Sequence, residues 1–186
     1  MTLRRGFKAE AEREALRLRN DLGIGPLAPI DIDELADHLA ITVVAGDTLI
    51  GREPFEELEA LQVGVFSAAT FDIDGRLIIV TNPLATEGRR RSDVAHELSH
   101  VLLSHELTEI RELAGVPFRS CRPEQEEEAT ALGSTILLPR PLLLAATRAG
   151  VTSPQSLATK HSVSLDMARY RLNSTGVLAQ AARSRR

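Results

Sequence analysis

His96, Glu97 and His100 stand in the order His-Glu-x-x-His. Side chains four residues apart lie one above the other on a helix, so both imidazoles can reach one cation while Glu97 flanks a water beside it. The chemistry that needs this set is metal-assisted hydrolysis, in which a divalent ion acidifies water and a carboxylate takes the proton. Val94, Ala95, Leu98, Val101, Leu102 and Leu103 surround the motif and predict a mostly buried helix over residues 87–105, with Arg89, Arg90 and Arg91 near its exposed start. The alternative is a core helix whose two histidines and glutamate pair with protein groups. Burying that many polar side chains so close together is costly without an ion to hold them.

A catalytic zinc takes three protein ligands and keeps one position for water, so a third group has to come from elsewhere in the chain. The acidic run Glu124, Glu126, Glu127 and Glu128 is the supply. The helical stripe of Ala129, Gly133 and Ile136 extends backwards onto Glu126, which therefore faces inward. Glu127 points roughly a hundred degrees away and reads as solvated, whereas a small rotation of the helix brings Glu128 to the ion instead. An acidic helix start also complements the macrodipole, which is reason enough for Glu124 and Glu127. Two imidazoles and a carboxylate suit Zn²⁺, and also Mn²⁺ or Fe²⁺.

Other candidates are less constrained. His105 lies five residues past His100 and is rotated off the ligand face, an outer or surface position. His105, His161 and Tyr170 are the available second donors for an oxyanion, with no spacing to choose among them; His38 and His161 otherwise read as surface or packing residues. The single cysteine, Cys121, excludes an internal disulfide and a cysteine-built zinc site; it reads as a plain buried or loop thiol and fits a reducing cytoplasm.

The elements that must position these groups can be read in order. Phe7, Ala11, Ala15, Leu18 and Leu22 recur at helical spacing until Gly23, Gly25 and Pro26 stop them. Asp31 and Glu34 resemble a capping box before Leu35, Ala36 and Leu39, and the β-branched run from Ile41 follows as a strand. A polar connection is expected over 51–59, then strands over 62–71 and 76–80 joined by a turn over residues 72–75, whose Asp74-Gly75 marks a hairpin. Asn82-Pro83 ends the second strand and leads into the motif helix. This order sets the metal beside a sheet edge, and Leu77 to Val80 is the candidate strand for pairing with an extended peptide. Toward the end, Ser153-Pro154 opens one helix and Ser164 caps another that runs to Asn173 before Gly176, in the manner of a helix-turn-helix. Arg169 and Arg171 are expected outside its apolar face.

With 186 residues, 43% hydrophobic and 26% charged, the chain has the composition of a soluble globular protein. Aromatic content of 3% with no Trp leaves no stacking platform for single-stranded nucleic acid. The charged amino terminus is neither a secretory signal nor a membrane anchor, so a cytoplasmic location with no membrane partner is expected. From Arg140 onward eight Lys/Arg oppose the single Asp166, +7 within a net charge of −4, leaving −11 before it. Such a basic segment either docks on its own acidic domain or meets nucleic acid. It is read here as support for the core, with DNA contact the alternative, since few polar side chains beyond the arginines could read bases.

On these residues the chain resembles the ImmA/IrrE family of metallo-endopeptidases. Residues 31–43 resemble the family's amino-terminal helix and strand, 75–82 the strand before its active helix, and 89–103 that helix itself. Glu126-x-x-Ala129-Thr130-x-Leu132, running on to Pro139, resembles the second signature, in which the glutamate three before the alanine is the remaining metal ligand; this favours Glu126. Where the family commonly has Asn and Phe the chain has Thr130 and Leu132, followed by the small pair Gly133-Ser134, differences of packing rather than of ligands.

The resemblance implies an α+β, zincin-like and gluzincin-like peptidase domain over 1–139 with a small mixed or antiparallel sheet. A helix-turn-helix-like segment would cover 140–180 and a basic tail 181–186. It further implies Zn²⁺ on His96, His100 and Glu126, with Glu97 as the catalytic base. The implied substrate is a helix-turn-helix (XRE-type) repressor whose cleavage releases stress-response or mobile-element genes. The reading from another class is a DNA-associated regulator with a structural, non-catalytic metal.

Overall fold

The computed structural model of the chain describes residues 3–105, 109–113 and 116–183. The arrangement is α+β. Helix α1 (Phe7–Asp21) buries Phe7, Ala11, Ala15 and Leu18, the stripe its spacing predicts. The Asp31 side chain caps α2 (Ile32–His38) by accepting from the backbone N–H groups of Asp33 and Glu34, and β1 (Thr42–Ala45) follows.

The expected polar connection over 51–59 is instead mostly helical. After the single turn α3 (Asp47–Ile50), α4 (Glu53–Leu61) starts with Pro54 in its first turn and runs through helix-forming glutamates. Its Phe55 fills the space left by the missing side chain of Gly46 and meets Phe66 at a ring separation of 5.6 Å. Because α4 extends to Leu61 and Gly64 then turns with φ +72°, the strand expected from residue 62 begins later, as β2 (Ala68–Ile73). It pairs antiparallel with β3 (Arg76–Thr81) through the two-residue turn Asp74-Gly75, whose φ values of +53° and +79° match the primed turn that suits strand twist.

The sheet has the order β1-β3-β2, with β1 parallel to β3. This corrects the expectation for Leu77 to Val80: Ile78 to Val80 are paired on both sides, and the open edge beside the motif helix belongs to β2. The motif helix α5 (Glu87–Leu102) ends three residues earlier than expected, because Ser104 turns left-handed at φ +52°. A hairpin of β4 (Glu109–Leu113) and β5 (Val116–Ser120), unanticipated in the sequence, joins α5 to α6 (Pro123–Leu137). Helices α7 (Arg140–Arg148), α8 (Pro154–His161), α9 (Leu165–Thr175) and α10 (Val177–Arg183) complete the described chain.

These last helices share one buried core with the rest: Leu142, Leu157, Leu172 and Val177 join Phe7, Leu35, Ile79 and Leu98. Arg171 is a second correction. It is 5% exposed, donating Nε to the Leu138 carbonyl (2.9 Å) and Nη2 to Glu12 Oε1 (2.6 Å). From α1, Arg19 donates to the Ile136 carbonyl at 2.6 Å. The physical cause is the end of α6, whose last carbonyls have no intrahelical partner and carry the negative pole of the helix. Arg169 stays outside, paired with Asp166. No single helix among the described residues is long and apolar enough to cross a membrane.

Candidate metal centre

Helix α5 is fixed on three sides before it offers its half-buried face. Arg90 holds Asp33 of α2 through two hydrogen bonds, Arg91 donates to the Ile30 carbonyl, and Ser92 accepts from the backbone N–H of Ser164 at the start of α9. Against α6 the approach is closer still. A Cβ on Gly133 would stand 2.7 Å from the carbonyl oxygen of Ala95, so only glycine lets the two backbones come this near. Glu126 lies two turns before Gly133 on the same face of α6 and so meets α5 at His96 and His100.

The resulting triangle has His96 Nε2 and His100 Nε2 3.0 Å apart, His96 Nε2 and Glu126 Oε2 3.1 Å apart, and His100 Nε2 and Glu126 Oε2 3.6 Å apart. A tetrahedral ion with bonds of about 2.0–2.2 Å would separate its ligand atoms by about 3.3–3.6 Å. The donors thus fit a small divalent ion with adjustments of a few tenths of an ångström. Burial acts to raise the Glu126 carboxyl, but the closeness of the His100 and His96 imidazoles outweighs it and holds the group well below the usual carboxylate range, which favours its anionic form.

Glu97 stands on the same helix, turned toward the sheet. Thr70 of β2 donates its hydroxyl to Glu97 Oε2 at 2.6 Å. One turn earlier Asp93 is paired with Arg89 at 2.9 Å, and burial pushes its carboxyl above the usual range against the pull of that arginine.

Behind the triangle, the left-handed Ser104 folds the chain back so that the backbone N–H of His105 reaches the His100 carbonyl at 3.0 Å. The His105 ring then lies with Nδ1 3.0 Å from His100 Nδ1 and Nε2 3.4 Å from Glu128 Oε2. Glu128 is held in turn by Arg4 at 3.0 Å. Cys121 Sγ sits 3.4 Å from the same His100 nitrogen. Glu126, rather than Glu128, therefore joins the histidines, and Glu128 faces away from them toward His105 and Arg4.

Of the other residues considered from sequence, His38 is exposed on α2, His161 ends α8, and Tyr170 packs half-buried on α9. Sequence reasoning missed Thr70 and the contact of Cys121 with His100. Neither has a periodic signal: strand pairing carries Thr70 to a helix 27 residues away, and the β4–β5 hairpin returns Cys121 to His100.

Residues 49–173 match the family model described as the IrrE N-terminal-like domain, Peptidase_M78. No curated protein matches the chain. The matched span carries the motif helix, the strand that touches Glu97, the second acidic helix and the helices α8 and α9, so the chain belongs to the IrrE N-terminal-like family of metallopeptidases.

Proposed function

We propose that the chain is a metal-dependent endopeptidase of the cytoplasm, with His96, His100 and Glu126 as ligands of Zn²⁺, or of Mn²⁺ or Fe²⁺, and Glu97 as the catalytic acid–base. The observation that carries this reading is the triangle of three donors with Glu97 beside it. Among the described residues three donors converge, the number found in catalytic sites with an open position, whereas structural sites close with four. When bound, the ion supplies Lewis acidity, making water more acidic and polarising a carbonyl.

The chain's own residues do the rest. Thr70 occupies Oε2 of Glu97, which orients Oε1 as the atom that takes a proton from water and returns it to the leaving amine. The outer side of β2, next to Thr70, is the edge on which an extended peptide adds a strand, presenting its carbonyl at a set height. A recess of about 180 Å³ lined by Phe66, Asn82, Leu84, Arg89 and Asp93 lies one turn before Glu97 and offers room for a substrate side chain. In this reading residues 1–139 carry the site, 140–180 support it and 181–186 form a basic tail.

A peptidase family implies a protein substrate, and the family resemblance points to a helix-turn-helix repressor of stress-response or mobile-element genes. The test is to mix the purified protein, with and without Zn²⁺ or Mn²⁺, with the repressor encoded beside it. Metal-dependent cleavage by the wild type and none by Glu97→Gln is expected. Equal cleavage by both, or no bound metal in either, overturns the reading; a DNA-associated protein with a structural metal predicts metal without cleavage.

A further inference from the structure

With both rings neutral, the contacts behind His100 leave two arrangements of protons to compare. At 3.0 Å the Nδ1 atoms of His100 and His105 share a hydrogen bond, so one carries the proton and the other accepts it. If His105 were the donor through Nδ1 in its neutral form, its Nε2 would turn a lone pair toward the Glu128 carboxylate 3.4 Å away, and His100 would carry its own proton on Nε2. That proton would point at His96 Nε2, 3.0 Å distant, and at Glu126 Oε2, 3.6 Å distant, and would occupy the lone pair an ion needs. The opposite order gives each contact behind His100 one donor and one acceptor and leaves His100 Nε2 free for an ion. Glu128, held by Arg4, accepts from His105 Nε2–H; His105 Nδ1 accepts from His100 Nδ1–H; and His100 Nε2 turns its lone pair toward the other two donors.

We propose that His105 and Glu128 are positioning residues that fix His100 in the Nδ1–H tautomer and hold its Nε2 in place for the metal. This rests on the reading of His96, His100 and Glu126 as ligands. The His105 side chain is only 5% exposed, and the left-handed turn at Ser104 is what returns it to His100, so the contact is built into the end of α5. Such a relay lengthens the carboxylate–histidine–metal arrangement by one imidazole. Cys121, 3.4 Å from the same nitrogen, is a weaker acceptor and does not substitute for it.

Long-range ¹H–¹⁵N spectra of the imidazoles, recorded on the wild type with and without Zn²⁺, read the tautomers directly. His105 protonated at Nε2 alone and His100 at Nδ1 are expected in both states. His105 protonated at Nδ1 or at both nitrogens overturns the proposal, whether or not zinc binds. Zn²⁺ affinity measured against a chelator gives the second readout. His105→Leu is expected to weaken binding by roughly 10–100-fold. His105→Asn, whose amide oxygen stands near the lost Nδ1, should recover most of it. Equal affinity of His105→Leu and wild type overturns the proposal, whereas a wild type that binds no zinc overturns the metal reading itself. Should His105→Leu fail to fold, the wild-type tautomers decide alone.

Discussion

Gly133 and Ala95 touch backbone to backbone: a Cβ on the glycine would fall 2.7 Å from the Ala95 carbonyl oxygen and 3.0 Å from the His96 nitrogen. That contact sets the separation of α5 and α6 at the level of the proposed metal donors His96, His100 and Glu126. Gly133→Ala is therefore expected to lower stability by about 1–3 kcal/mol through overpacking and to weaken Zn²⁺ binding by moving Glu126 away from His96. Gly25→Ala, where a Cβ meets open space, serves as the control and should leave both unchanged. Chemical denaturation and chelator competition on the two variants test this.

Thr70 is expected to matter for turnover but not for metal. Thr70→Val keeps the shape and removes the hydroxyl that holds Glu97 Oε2, so kcat should fall roughly tenfold, part of the about 10²–10⁴ that positioned proton transfer contributes. Zinc affinity should be unchanged, and Thr70→Ser should restore turnover. A fall in zinc affinity equal to that in kcat would contradict this role.

The buried Arg171 ties α9 to the end of α6 and to Glu12 of α1. Arg171→Ala leaves the Leu138 carbonyl and Glu12 Oε1 without their guanidinium and is expected to cost about 3–5 kcal/mol. Replacing Arg171 and Glu12 together by apolar residues should recover part of the loss. Denaturation followed by circular dichroism checks both, and a single transition is expected because α9 shares the core with α1 and α6.

His161 makes a pH-dependent contribution. Burial, and then the neighbouring Lys160, push its imidazole below the ordinary value of 6.5. Its charged form is disfavoured only in the folded state, so the stability it contributes is present above 6.5 and is lost as pH falls from there through the lowered folded value. The stability of wild type relative to His161→Leu should therefore decline between pH 7.5 and 5. Urea titrations of both proteins across that range measure the difference, and a constant difference would contradict the assignment.

Much of this arrangement was legible because it obeys helical periodicity. The stripe Phe7, Ala11, Ala15 and Leu18, the caps at Asp31, Ser153 and Ser164, and the Asp74-Gly75 hairpin are local signals that the structure realises, although the turn is two residues shorter than the four over 72–75, since Asp72 and Ile73 stay in β2. The inward direction of Glu126 followed from the same period through Gly133. Relations made across distance were not legible. Leu77 to Val80 read as an edge because nothing in the strand itself announces that β1 will pair on its far side. Arg171 read as exposed because its partners, the Leu138 carbonyl and Glu12, lie on other helices. The helix over 53–61 was masked by its acidic composition and brevity: Phe55, Leu58 and Leu61 recur at helical spacing, but only Phe55 is buried.

In the proposed site two helices bring three donors around one divalent ion with a position left for water. Crystals grown with Zn²⁺ and measured at the zinc absorption edge test it most directly. An anomalous peak bonded to His96 Nε2, His100 Nε2 and a Glu126 oxygen at about 2.0–2.2 Å, with solvent as the fourth neighbour, is expected. A peak bonded to Cys121 sulfur at about 2.3 Å, or one that leaves Glu126 out of the shell, would contradict it.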